Sequence, residues 1–313
     1  MGEVYPKNQW EFEQQFRTET GCVEYLVKLR WPAGFVCPRC KSGGAWEIRR
    51  GRYKCRSCRR ETSVTAGTLF QDSHKPLGFW FRALWQVTNQ KSGANALSLQ
   101  RALGLGSYAT AWLWLHKMRR AMVRPGRDRL SGRVEVDETF VGGEIIGSRG
   151  RSGRGKTLVA IAAQEKGLGL GRIRMHCIPD ASKATLHAFV QRTIEPGSVI
   201  HTDGWDSYKG LPALGYQHQI SALKGRSASA ATELLPRVHL VASLLKRWLI
   251  RTHQGAVSPR HLDYYLDEFT FRFNRRTSTS RGLLFYRLIQ QALSLEPTVA
   301  TSIFGGKLPK KPH

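Results

Sequence analysis

Val134-Glu135-Val136-Asp137 and Val199-Ile200-His201-Thr202-Asp203 each carry an apolar strand into an aspartate. Successive side chains of a strand alternate, so Glu135 and Asp137 share one face and Val134 and Val136 the other. Downstream, a helix beginning at Pro236 presents His239 and Lys246. At about 100° per residue these two lie only about 20° out of phase. Val241, Leu244, Leu245 and Trp248 fall on the opposite side and are expected to pack on a sheet. Ala242 and Ser243 are small and leave room for a backbone or a metal to approach. Taken singly, each aspartate reads as a cap or turn former, and the His and Lys as an incidental pair on a solvated face. Taken together they predict a shared divalent-metal site, because a buried carboxylate is costly unless it meets a cation. Metal ions are how proteins cut and rejoin phosphodiester bonds. Glu138 and Asp206 are weaker candidates.

Outward from these residues, apolar strands are predicted over 133–141, 157–164 and 170–178, a helix over about 182–193, and strands over 197–202 and 216–221. Helices follow over about 236–250 and 259–274. That order is α/β, a mixed sheet flanked by helices. In the last helix, Asp263, Asp267 and Glu268 read as surface partners of Arg272, Arg275 and Arg276. The Gly- and Arg-rich loop Gly147–Lys156 reads as a mobile basic arm, either a solvated hairpin tip or a phosphate contact.

The N-terminal part is built differently. Residues 8–30 read as helical. Four of the six cysteines then stand as Cys37-x2-Cys40 and Cys55-x2-Cys58. Two knuckles with this spacing supply a tetrahedral zinc site of the ribbon type. All four positions are filled by protein, so the predicted Zn²⁺ is structural. Cys22 and Cys177 read as ordinary buried thiols. Arg49, Arg50, Arg52, Lys54, Arg56, Arg59 and Arg60 make the ribbon basic, which suits DNA contact as well as a solvated face. Over 75–123 three helices are expected, the second ending at Gly104-Leu105-Gly106 and the third carrying Lys117, Arg119 and Arg120. Helix, glycine turn, basic helix is the helix-turn-helix pattern, though a plain helical linker has the same signature. The boundaries drawn are 1–68 for the N-terminal helix and ribbon, 69–128 for the helix-turn-helix-like region, 129–298 for the catalytic α/β domain, and 299–313 for a disordered basic tail.

The net charge of +26 is far beyond solubility needs. Such a chain repels itself unless a polyanion neutralises it, and nucleic acid is the favoured polyanion. An anionic membrane surface is the alternative. No amphipathic anchor, membrane-length apolar run or signal peptide is read, so the expected location is the cytoplasm.

Together these stretches resemble a family. Trp31-Pro-Ala-Gly-Phe-Val-Cys-Pro-Arg-Cys40, Ser63-Val-Thr-Ala-Gly-Thr-Leu-Phe70, Val134-Glu-Val-Asp-Glu-Thr-Phe-Val-Gly-Gly143, His201-Thr-Asp-Gly-Trp205, Ser243-Leu-Leu-Lys-Arg247 and Tyr265-Leu-Asp-Glu-Phe-Thr-Phe-Arg-Phe-Asn-Arg-Arg276 are similar to bacterial insertion-sequence transposases of the DDE superfamily with an N-terminal zinc ribbon. The resemblance covers about residues 10–290. It implies an RNase H-like, retroviral-integrase-like catalytic domain in which Asp137 and Asp203 match the first two acidic positions. The third is usually Glu; here His239 stands there, with Lys246 after it, giving an Asp-Asp-His-Lys set. Mg²⁺ prefers oxygen, whereas imidazole suits softer ions such as Mn²⁺. The implied activity is cleavage at transposon ends and strand transfer into target DNA by a dimer or larger assembly at the nucleoid. The partners implied are double-stranded terminal inverted repeats and target DNA. An inactive repressor derived from a transposase, or a nuclease or resolvase on the same fold, are the alternatives.

Overall fold

The computed structural model describes residues 3–90, 92–124, 126–142, 156–221, 234–255 and 257–305. Most of the loop Gly147–Lys156 and the end of the tail lie outside the described residues. The chain forms two compact units, residues 1–124 with 278–313, and residues 125–277.

The first unit opens with α1 (Gln9–Gln15) and α2 (Glu19–Arg30) where one helix was expected. The break has a local cause. Asn8 caps α1 through the Glu11 N–H and Thr18 caps α2 through the Gly21 N–H, while Phe16 turns into the core. A Cβ on Gly21 would lie 2.8 Å from the Gln15 carbonyl oxygen, so only glycine permits the two helices to approach there. The ribbon follows as β1 (Ala45–Arg49), β2 (Arg52–Cys55) and β3 (Glu61–Ser63), an antiparallel sheet in that order. Then come α3 (Leu77–Asn89), α4 (Ala96–Leu103) and α5 (Tyr108–Ala121). Gly104 ends α4 in the left-handed region at φ 60°, and Ser107 caps α5 by accepting from the Ala109 N–H.

The second unit contains β4 (Arg133–Val141), β5 (Thr157–Lys166), β6 (Gly169–Ile178), α6 (Lys183–Thr193), β7 (Val199–Thr202), β8 (Gln217–Ile220), α7 (Pro236–His253) and α8 (Leu262–Phe273). The sheet order is β6-β5-β4-β7-β8. β4, β5 and β6 are antiparallel neighbours, while β7 runs parallel to β4 and β8 parallel to β7. A parallel return needs a crossover, and α6 supplies it. Both faces are covered. Val141, Val159, Ile161, Ala163, Ile173 and Met175 pack against α7 and α8. Val134, Val136, Ala160 and Ala162 pack against Leu186, Phe189 and Val190 of α6. A sheet covered on both faces explains why β5 reads as an unbroken apolar run rather than an alternating one.

After α8 the chain returns to the first unit with α9 (Arg281–Ser294) and α10 (Ala300–Phe304). This corrects the expected catalytic boundary at 298. The apolar stripe of α9 is anchored by Phe285, which sits among Phe12, Phe16, Phe81 and Trp85. Residues 300–304 are likewise helical rather than part of a disordered tail, because Ile303 is buried and Phe304 stacks on Trp112. The expected division at 68/69 also falls inside one unit, since the ribbon and α3–α5 belong to the same compact body.

Candidate active site and metal centres

The four cysteines converge. Their sulfurs lie within 4.8 Å of one another, and Cys37–Cys58 and Cys40–Cys55 are each 3.6 Å apart. A tetrahedron with Zn–S of about 2.3 Å puts sulfurs about 3.8 Å apart, so the set fits zinc. The two knuckles repeat one backbone pattern. Lys41 N–H donates to the Cys37 carbonyl and Arg59 N–H to the Cys55 carbonyl. Lys41 and Arg59 both sit at positive φ, 62° and 60°, a costly conformation for side-chain-bearing residues that the turn imposes. The Ser42 backbone N–H helps pull the Cys40 thiol down to about 6, towards the thiolate that a metal needs.

The ribbon also exposes an edge. Trp46 and Ile48 of the outer strand β1 are 43% and 48% exposed. The guanidinium groups of Arg56 and Arg59 lie over the Trp46 ring at 5.7 and 4.7 Å from its centre. The composition gave the basic charge, but the aromatic in its midst is visible only once the hairpin is formed.

In the second unit, β4 carries Asp137 at its middle. The parallel register pairs Arg133 with Val199 and Glu135 with His201, so two residues further along each strand lie Asp137 and Asp203. Asp203 is the first residue beyond β7, where Gly204 at φ 87° turns the chain and Trp205 N–H donates to Asp203 Oδ1 at 3.0 Å. The Trp205 ring itself is 57% exposed at this rim. α7 packs across β4 and β5 and brings His239 Nδ1 to 3.8 Å from Asp137 Oδ2. Val238, Val241, Leu245 and Leu249 are buried, with Leu244 and Trp248 partly so, which is the stripe expected from the sequence.

The electrostatics join the same residues. Burial pushes the Asp137 carboxyl up to about 7; the Asp203 charge adds to the shift and Lys246 opposes it. Lys246 is itself lowered by burial and by Lys156, with Asp137 opposing. Two neighbouring carboxylates in a shielded site are what a divalent cation relieves. The donor set Asp137, Asp203 and His239 therefore fits such an ion in its chemistry. These three do not, however, bring one ligand atom each within 4.8 Å of all the others, among the described residues. A pair of ions about 3.5–4 Å apart would use a wider spacing than one ion does.

Two weaker candidates separate. Asp206 is 83% exposed at its side chain and pairs with Lys209 at 2.8 Å. Glu138 turns to the α6 side, where it accepts a hydrogen bond from the buried Tyr208 hydroxyl. Burial pushes Glu138 up to about 7, with the Asp137 and Asp203 charges adding to the shift. Its nearness to both aspartates is something the sequence reading underweighted.

A second close group, Glu135, Glu165 and His201, also has metal-ligand spacing. Its carboxylates already hold a cation, because Arg237 Nη1 donates to Glu135 Oε1 at 2.9 Å and to Glu165 Oε1 at 3.2 Å. On α8, Glu268 is fully buried and Asp267 is pushed up to about 7 by burial, so neither is the surface partner the sequence suggested.

The ISXO2-like transposase domain family matches residues 129–274, and the transposase zinc-ribbon domain family matches residues 17–61. The chain thus carries an ISXO2-like transposase domain behind an N-terminal transposase zinc ribbon. A protein described as an uncharacterized protein in transposable element ISH50, from the archaeon Halobacterium salinarum, is 27% identical over 280 residues, covering 82% of this chain and 91% of that protein. A crystal structure of the Mos1 strand transfer complex covers 72% of this chain and 78% of its own, at 14% identity. The TM-score of that match is 0.28. No helix among the described residues is long and apolar enough to cross a membrane.

Proposed function

We propose that this transposase cuts DNA at the ends of its own element and joins the freed 3′ end to target DNA, using divalent metal in an RNase H-like domain. The observation that carries the reading is the convergence of Asp137, Asp203 and His239 from two adjacent strands and one helix. The sheet supports it: three antiparallel strands followed by two parallel to the first is the RNase H-like order that the sequence resemblance implies.

Asp137, Asp203 and His239 would hold the catalytic ions, with both other residues neighbouring Asp137. Bound there, Mg²⁺ or Mn²⁺ would supply Lewis acidity for phosphodiester cleavage and joining. His239 places a nitrogen where an oxygen donor is usual, which favours Mn²⁺. Lys246, on the same face of α7 as His239, supplies positive charge for a phosphate of the transposon end. The ribbon, with its structural zinc, and the α4–Gly104–α5 helix pair, as a helix-turn-helix, would recognise terminal inverted repeats. Two ends must be paired for transposition, so the working form is a dimer or larger.

Incubation of the purified chain with a labelled duplex bearing the element's end tests this reading. Binding followed by Mg²⁺- or Mn²⁺-dependent strand cleavage is expected. Tight binding without cleavage in either metal would leave a repressor. Cleavage of branched DNA with indifference to the element's end would leave a resolvase.

A further inference from the structure

We infer that Glu135 is a positioning residue: its buried carboxylate clamps the first turn of α7 and thereby sets His239 against Asp137. The inference rests on the catalytic reading of Asp137, Asp203 and His239 given above.

Glu135 is 0% exposed, in the middle of a sheet core. A carboxylate there is expensive unless it is fully partnered. Its partners all come from one place. Oε2 accepts from the Arg237 backbone N–H at 2.7 Å and from the Val238 N–H at 2.9 Å, and Oε1 accepts from Arg237 Nη1 at 2.9 Å. A helix leaves its first amides without internal partners, and its positive end favours an anion. α7 has no side-chain cap of its own: Leu235 is the cap residue and Pro236 occupies the first helical position. The missing cap is supplied from β4 instead, across 102 residues of sequence.

The lever between this clamp and the catalytic pair is short on both sides. On β4, Glu135 and Asp137 are two residues apart on the same face, about 7 Å along the strand. On α7, His239 follows Val238 directly, and its own N–H bonds the Leu235 carbonyl at 3.3 Å. Holding Glu135 to the Arg237 and Val238 amides therefore holds Asp137 and His239 at their 3.8 Å approach. Arg237 stiffens the clamp by bonding Glu165 of β5 and the Gly169 carbonyl of β6. Arg133 ties Glu165 to β4 at 3.2 Å.

The test compares wild type with Glu135→Ala, Glu135→Gln and Glu135→Asp in the full chain. Three quantities are measured: Mn²⁺ affinity from the signal of free Mn²⁺, the Mn²⁺ concentration that half-saturates end cleavage, and hydrogen exchange of the Val238 amide. Groups that orient metal ligands are typically worth 10–100-fold in metal affinity. Glu135→Ala is expected to weaken Mn²⁺ binding at least about tenfold and to expose the Val238 amide. Glu135→Gln, which keeps a carbonyl acceptor for both amides, restores most of the affinity. Glu135→Asp retains charge but withdraws the carboxylate by one methylene; it folds and still binds Mn²⁺ weakly, so the inference stays open to refutation if the alanine variant does not fold. A folded Asp variant, or a folded Ala variant, that binds Mn²⁺ as wild type does would overturn the positioning role alone. A wild type that binds no Mn²⁺ would overturn the catalytic reading and this inference with it, while Val238 exchange still reports whether the clamp exists.

Discussion

Asp137 and Asp203 each lie two residues beyond the last β4–β7 pair, Glu135 with His201, Asp137 inside β4 and Asp203 just past the end of β7. The two aspartates are near enough for the Asp203 charge to raise the Asp137 carboxyl, and α7 adds His239 beside Asp137. One carboxylate is thus held in a shielded site beside another, and the Asp137 proton is retained up to about 7. The geometry is inexpensive only when a cation is present.

Zinc removal is expected to unfold the ribbon. The metal closes a segment whose strands are only three to five residues long, and in isolated zinc-finger peptides such a site contributes about 10–16 kcal/mol. Cys37→Ser or Cys55→Ser should lower bound zinc from one per chain towards none and abolish DNA binding. Metal analysis beside circular dichroism checks this, and a zinc-free chain with an intact ribbon would refute it.

The exposed Trp46 edge should contact DNA through its arginines. Arg56→Ala and Arg59→Ala are each expected to weaken binding on every sequence and to flatten the log K against log salt slope by about 1. Both guanidinium groups lie over an exposed ring rather than in a core, so thermal stability should not change. Unaltered slopes for both variants would place the DNA elsewhere.

How much of this was legible beforehand depended on range. β4, β5 and α7 announce themselves because their apolar periods are local, and Asp137, Asp203 and His239 follow from those periods. The joining of α9 to the first unit was not legible. An apolar stripe says that Phe285 and Leu288 are buried, never that Phe12 lies opposite them. The cap that Glu135 gives α7 was hidden for the same reason, since a helix start is sought among the residues beside it. The break between α1 and α2 was local and readable from Thr18, an N-cap residue ahead of Glu19.

Gly282 offers a direct check on the return of α9. A Cβ there would lie 1.6 Å from the Pro6 carbonyl oxygen, a clash with backbone that no side-chain rotation relieves. Gly282→Ala should destabilise the first unit by about 1–3 kcal/mol and speed hydrogen exchange of the Lys7 amide, which donates to Glu11 Oε2 just beyond Pro6. An alanine variant with wild-type melting and exchange would contradict the packing.

Asp267 gives a pH dependence with a defined sign. Burial raises its carboxyl from the usual 3.8 to about 7, with Arg127 opposing and Asp263 adding to the shift. The folded state holds this proton more tightly than the unfolded state. The stabilisation is therefore full below pH 3.8 and is lost as pH rises through 7. Asp267→Asn should remove that part of the decline, so the variant gains on wild type between pH 5 and 8 in denaturant titrations. A constant difference across that range would show that Asp267 titrates normally.

The buried Tyr208 hydroxyl supports Glu138 from the other face of β4. Tyr208→Phe leaves that carboxyl without this donor, and a cost of about 1–3 kcal/mol is expected, readable as a fall in melting temperature.

The most direct measurement is joining of a labelled element end to target DNA in Mg²⁺ and in Mn²⁺, for wild type and for Asp137→Ala, Asp203→Ala and His239→Ala. Joining by wild type, stronger with Mn²⁺, and its loss in all three variants is the result this account predicts. Joining that survives in His239→Ala, with the same preference between the two metals, would contradict the assignment of His239 as the third member of the site.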